Sequence, residues 1–160
     1  MKISTALLTL LRCFDEELKA AGIREDLCAL TIYPGNMVPY DYECGSGWVR
    51  LVSANPTVAF PAQDLTVNNC TSSMAYPVEM GLVRPGPIPY NFGTDMDLPD
   101  DAEQLESALR VVEDMELMRR AIVRASASIP QLLLGAWNPQ GPDGGIVGGV
   151  WDLTVGDEDD

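Results

Sequence analysis

Twenty-four carboxylates, four cysteines and no histidine set the chemistry open to this chain. Without an imidazole, the commonest general base is missing, as are the histidine-dependent serine and cysteine nucleophile arrangements and most mixed zinc sites. Cys13, Cys28, Cys44 and Cys70 contain no CxxC pair, so their spacing supports no structural zinc or redox motif. With no secretory context, free and mostly buried thiols are the expectation. Asp41, Glu43 and Glu79 belong to no recognisable acid–base pair and are expected at the surface. Asp157 to Asp160 could hold calcium loosely, but the loop spacing and glycine of a calcium site are absent. Glycines gather in Gly141-Pro-Asp-Gly-Gly145 and Gly148-Gly149. A phosphate cradle there would need a lysine or a following helix; a hairpin turn and a close backbone approach fit better. Arg119, Arg120 and Arg124 could meet phosphate, yet helix capping and salt bridging account for them. No catalytic, cofactor-binding or metal-binding residue is therefore expected, and the chain does not read as an enzyme.

The element that dominates the pattern is one long helix over Pro99 to Ser128. Leu105, Ala108, Leu109, Val112, Met115, Met118, Ile122 and Ala125 recur at spacings of three and four, which predicts one buried stripe. The remaining surface is charged, with Glu103, Glu106, Arg110, Glu113, Asp114, Glu116, Arg120 and Arg124. Asp100 with Glu103 makes a carboxylate variant of the capping box, and Pro130 ends the helix. Glu106 with Arg110 and Glu116 with Arg120 are spaced for i,i+4 pairs. Leu105, Leu109, Val112 and Ile122 are expected against a strand face carrying Tyr76, Val78 and Met80.

An earlier helix is predicted over Ser4 to Ala21, with Leu7, Leu11, Phe14, Leu18 and Ala21 as its apolar stripe and Gly22-Ile23 as a Schellman ending. Strands follow at Leu27 to Tyr33 and Trp48 to Ser53, with Asn36 to Glu43 an edge strand or extended loop and residues 44 to 47 a turn. Asn55 to Ser73 reads as a long loop. Met74 to Arg84 is the clearest strand: Met74, Tyr76, Val78, Met80 and Leu82 alternate to one side, the side expected to face the helices. Pro85 to Pro99 is a rigid irregular crossing. Leu132 to Trp137 and Gly145 to Val155 complete the set, joined by a turn-rich loop over Asn138 to Gly144; Val147, Trp151, Leu153 and Val155 share a face. The resulting fold class is α+β: a mostly antiparallel sheet of about five strands with two helices packed on one face. Residues 1–156 form a single domain and 157–160 an acidic disordered tail.

At 160 residues and 46% hydrophobic content the chain can bury a real core. A net charge of −14 argues against nonspecific adhesion to nucleic acid or an anionic membrane. The apolar opening ends at Arg12, before Asp15, Glu16 and Glu17, which suits neither a signal peptide nor a membrane span. Synthesis in the cytoplasm is the expectation.

Leu134-Gly-Ala-Trp-Asn-Pro-Gln-Gly-Pro-Asp-Gly-Gly145, followed by Gly148-Gly149-Val150-Trp151, resembles the C-terminal hairpin of neck proteins from long-tailed phages of actinobacteria. These are called head-to-tail connector or tail terminator proteins. Gly47-Trp-Val-Arg-Leu51, Phe60-Pro61 and Tyr76-Pro-Val-Glu-Met-Gly-Leu-Val-Arg84 are similar to the central strands of the same family. The resemblance covers most of the chain and its motifs are structural. It implies a small α+β subunit of a virion structural protein, a homo-oligomeric ring (a hexamer) that caps the tail tube and docks on head-completion or connector proteins. DNA passes through such a ring without specific binding. The location implied is the virion neck, with assembly in the host cytoplasm. Arg119, Arg120 and Arg124 are then expected at the subunit interface, facing Asp95, Asp97 or Asp100 of a neighbour. Two alternatives stand beside this reading: another neck component such as a stopper, which should be β-barrel-like, and a small non-viral adaptor using the 55–73 loop.

Overall fold

A computed structural model describes residues 1–39, 41, 43–64, 73–87, 90–92 and 95–157, the stretches 90–92 and 95–97 by their backbone alone. The first helix, α1 (Ile3–Ala20), turns Leu7, Leu10, Phe14 and Leu18 inward. It ends as its sequence predicts. Gly22 takes φ +72°, its N–H donates to the Lys19 carbonyl at 3.0 Å, and the Ile23 N–H donates to Leu18 at 3.1 Å. That is the Schellman pattern, and it needs a residue free of a Cβ penalty at Gly22. Ala21, by contrast, stays exposed.

A single turn of 3-10 helix (Arg24–Asp26) leads into β1 (Leu27–Tyr33). The other strands of the main sheet are β2 (Gly45–Leu51), β3 (Asn55–Thr57), β4 (Ser73–Pro85), β7 (Leu132–Asp143) and β8 (Ile146–Gly156). Between β4 and the second helix, β5 (Tyr90–Phe92) and β6 (Asp95–Asp97) form a separate antiparallel ribbon. The six-stranded sheet runs β1-β2-β4-β8-β7, with β3 pairing on β4. Every pairing in it is antiparallel except β1 with β2.

Alternation along β4 builds the core. Val78, Met80 and Leu82 point to the helix side; Met80 sits opposite Trp151 and Val78 opposite Leu153 on β8. They meet Leu10, Phe14 and Leu18 of α1 and Leu117, Met118, Ala121, Ile122 and Ala125 of α2 (Asp101–Ser126). Both helices thus cover one face, giving the α+β fold that the pattern predicts. The opposite face carries a smaller cluster of Trp48, Val83, Ile146 and Val150, covered by Tyr33 and Val38. Trp48 lies directly across from Gly81, and a Cβ on Gly81 would occupy the place of the indole. The Trp137 indole likewise fills the space over Gly149, while Gly148 meets the backbone of Leu82 and Val83, the close backbone approach expected of that glycine pair.

Several expectations change. The 55–73 segment contains β3, and the 85–99 crossing contains the β5–β6 ribbon. Gly45 to Gly47 are strand rather than turn, and β7 continues through Asn138 to Asp143 instead of loosening into a loop. Register shifts between Leu134 and Trp137 and between Gln140 and Asp143 break the alternation of β7, which hides a strand from any period-two reading. Asp157 belongs to the fold: its carboxylate accepts from the Met74 N–H at 2.6 Å, and its own N–H donates to the Met74 carbonyl. Residues 158–160 lie outside the described residues.

The cysteine expectation is overturned as well. Cys28 and Cys44 form a disulfide, their Cα atoms 5.7 Å apart. The parallel pairing brings them together, because Leu27 aligns with Gly45 and so places Cys28 at the foot of β2. A spacing of 16 residues carries no sign of that while both strands are taken as antiparallel. Cys13 is free and buried, as expected, while Cys70 lies outside the described residues.

The long helix departs furthest from its predicted stripe. Leu105, Leu109 and Val112 are exposed at 61%, 56% and 51%, whereas Met118, Ile122 and Ala125 are buried. The reason is arithmetic. At ~100° per residue, each step of three turns the stripe back by ~60°, and 109, 112, 115 and 118 are three such steps in a row. The apolar line therefore winds around the helix, from solvent at its start to the core at its end.

Candidate interaction surface

Asp100 caps α2, its carboxylate accepting from the Glu103 N–H at 2.8 Å. The three arginines near the other end of that helix find partners within their own chain. Arg120 donates to Glu17 at 3.3 Å, Arg124 reaches Glu16 at 3.2 Å and Glu17 at 3.4 Å, and Arg119 pairs with Glu116 at 3.0 Å. The first two tie α2 to α1, so Arg120 leaves the expected pair with Glu116, and Arg110 donates to the Pro85 carbonyl at 2.6 Å instead of pairing with Glu106. All three remain about half exposed, so each bridge is worth little, on the order of 0–1 kcal/mol. Asp100 stands ~30 Å along the helix from Arg120, and Asp95 and Asp97 belong to β6. Within one chain Asp100 is therefore too far from Arg120 to pair with it.

Two charged pairs sit deeper than the charge pattern suggests. Asp114, predicted at the surface, is buried: Arg84 grips it from β4 through Nε to Oδ2 at 2.8 Å and Nη2 to Oδ1 at 2.6 Å. Burial pushes the Asp114 carboxyl up from its ordinary value, with Arg84 pulling against it. Glu79 is likewise no free surface residue. It accepts from Trp48 Nε1 at 2.8 Å and from Arg50 Nη2 at 2.9 Å. Asp41 and Glu43 are exposed as expected, Asp41 accepting from the Glu43 N–H at 3.0 Å. Among the described residues no group of three or more carboxylate or cysteine side chains is placed to hold a metal ion.

What the sequence reading missed is an apolar groove of about 440 Å³. It lies between the first half of α2 (Ser107, Ala108, Val111, Val112), the strap at Leu98 and Pro99, and the β7–β8 hairpin around Trp137 and Val147. Among the described residues its lining is apolar or uncharged, the character of a binding groove. The Trp137 Nε1–H on its wall is buried and has no hydrogen-bond partner among the described residues. Trp151, its neighbour across the hairpin, donates to the Met115 carbonyl at 3.0 Å. The only sequence sign of this groove was the excess of apolar residues on α2 over what one buried stripe requires.

Beside the groove runs the exposed line of Leu105, Leu109 and Val112, with Leu98 exposed at its head. On the far side of the sheet's edge, β7 leaves Leu133 and Leu134 exposed too. Singly such residues are ordinary, but a line of them along one helix face marks a contact surface. No helix is long and apolar enough to cross a membrane among the described residues. No protein-family model matches the chain, and no curated protein is matched by it.

Proposed function

We propose that this chain is a structural subunit of a long-tailed virus particle, a tail terminator that forms a ring between tail tube and head. One observation carries the reading. Of the stretches that resemble neck proteins, 47–51 in β2, 76–84 in β4 and 134–145 with 148–151 in β7 and β8 fall in four strands that are neighbours in one sheet, and Phe60-Pro61 alone lies in a turn outside them. A likeness scattered over unrelated loops would have no such continuity. The groove without titratable groups and the exposed apolar line on α2 support a protein that works by contacts with other proteins. Two helices on a sheet also favour a terminator over a stopper, for which a β-barrel is expected.

In this role the partners are further copies of the chain, the tail tube protein and the head-completion proteins, with DNA threading the centre. A charge of −14 on each copy suits a wall past which DNA must slide, since phosphate-gripping lysines and arginines would hold it by counterion release. The decisive assay adds the purified protein to its own tail tube protein during polymerisation. Tubes that stop lengthening and carry a cap are expected; tubes that lengthen as before would contradict the assignment.

A further inference from the structure

The outward face of α2 is one straight line at ~100° per residue: Leu105, Leu109 and Val112, then Glu116, Arg119, Arg120 and Val123. Its first half is apolar and flanked by Asp101, Glu106 and Glu113, for which no cation partner occurs among the described residues. Its second half presents Arg119, Arg120 and Arg124, bridged to Glu116, Glu17 and Glu16 but still about half exposed, and Val123 on α2 and Leu8 on α1 are exposed at 54% and 60%. Arg12, four residues after Leu8, adds a further exposed cation to that end. The two halves are complementary in charge and alike in apolar character, but they belong to the same molecule and point the same way. They cannot satisfy each other within one chain.

We propose that the occupant of this face is a second copy of the chain. The acidic, leucine-bearing half of α2 on one copy seats on the basic half of α2 and the adjoining surface of α1 on the next. This rests on the ring reading for its closure: a joint between two different patches repeats head to tail and closes when its rotation permits. The Arg120 and Arg124 bridges to Glu16 and Glu17 hold the guanidinium groups at the surface, where incoming carboxylates can share them. Apolar contact supplies the binding and the charges fix which half meets which.

The test uses the full chain and three variants followed by sedimentation velocity over a wide concentration range. Wild type should sediment as a multi-subunit species. Leu109→Asp places a charge in the joint at a position exposed in the subunit; its thermal melt should match wild type at concentrations where both are monomeric, while self-association weakens by at least about tenfold. Arg120→Glu/Arg124→Glu makes both halves acidic, and Asp101→Lys/Glu106→Lys makes both basic at these positions. Each should fail to assemble alone and recover when the two are mixed in equal amounts. Assembly unchanged in Leu109→Asp and in both charge variants would overturn the joint while leaving a ring possible through another surface. Association that obeys the variants but stops at dimers would keep the joint and refute the ring. A wild-type chain that stays monomeric throughout would overturn the proposal.

Discussion

Asp114 stays in the interior because Arg84 reaches it from β4 with both prongs of its guanidinium. Replacing Asp114 with alanine leaves a buried, unpaired arginine and should cost about 3–5 kcal/mol in urea melts. The double change Arg84→Met/Asp114→Leu removes both charges and should recover most of that loss, a result an exposed pair would not give. Asp15 behaves differently. The Lys19 ammonium at 2.5 Å, with Arg24 at 2.8 Å, holds its carboxyl below the ordinary carboxylate range. A carboxylate lowered in the folded state adds stability above its unfolded pKa, and that stability is lost as pH falls through the folded value. Asp15→Asn should therefore flatten the decline of stability in strong acid and change its slope little near neutrality. An unchanged acid slope in the variant would show that these bridges do not persist in solution.

At the scale of elements, α2 is two helices in one. Met118 lies in the core and Leu109 in solvent, although both belong to the same series of threes and fours. Met118→Ala should cost about 2–5 kcal/mol in the isolated subunit, and Leu109→Ala should stay within about 0.5 kcal/mol; equal losses would place Leu109 in the core after all. The Cys28–Cys44 bridge closes a loop of 16 residues, for which chain entropy gives about 3 kcal/mol. Cys28→Ser should lower the denaturation midpoint accordingly, and non-reducing peptide mapping should find the two cysteines linked. Identical melts with and without reductant would remove the bridge from the solution structure. Much of this scale was legible beforehand. Alternation over Met74 to Arg84 placed β4 and its inward face, Gly22 ended α1, and Asp100 started α2, because each is a local device whose residues lie within a few positions of one another. The misses share the opposite cause. The disulfide depends on a parallel pairing of β1 with β2, the groove on three distant segments meeting, and the burial of Asp114 on Arg84 arriving from β4. None of those juxtapositions has a local period.

For the whole molecule, the surface left uncovered is the guide to its work. The core cluster between the helices and the sheet is complete, with Phe14, Met80 and Met118 fully enclosed. What is left open is the outer face of α2, the groove beside it and the edge strand β7. In the proposed role these are the surfaces that would meet further copies of the chain and neighbours in a larger assembly. The three arginines stand out in the sequence; that Arg120 and Arg124 bridge α2 to α1, while Arg119 pairs with Glu116 inside α2, became clear only from the fold. Electron images of the purified, negatively stained protein test the central claim most directly. Closed rings of uniform diameter with a stain-filled centre wide enough for duplex DNA, about 20 Å, are the predicted result. Monomers at every concentration, or open filaments that never close, would contradict it.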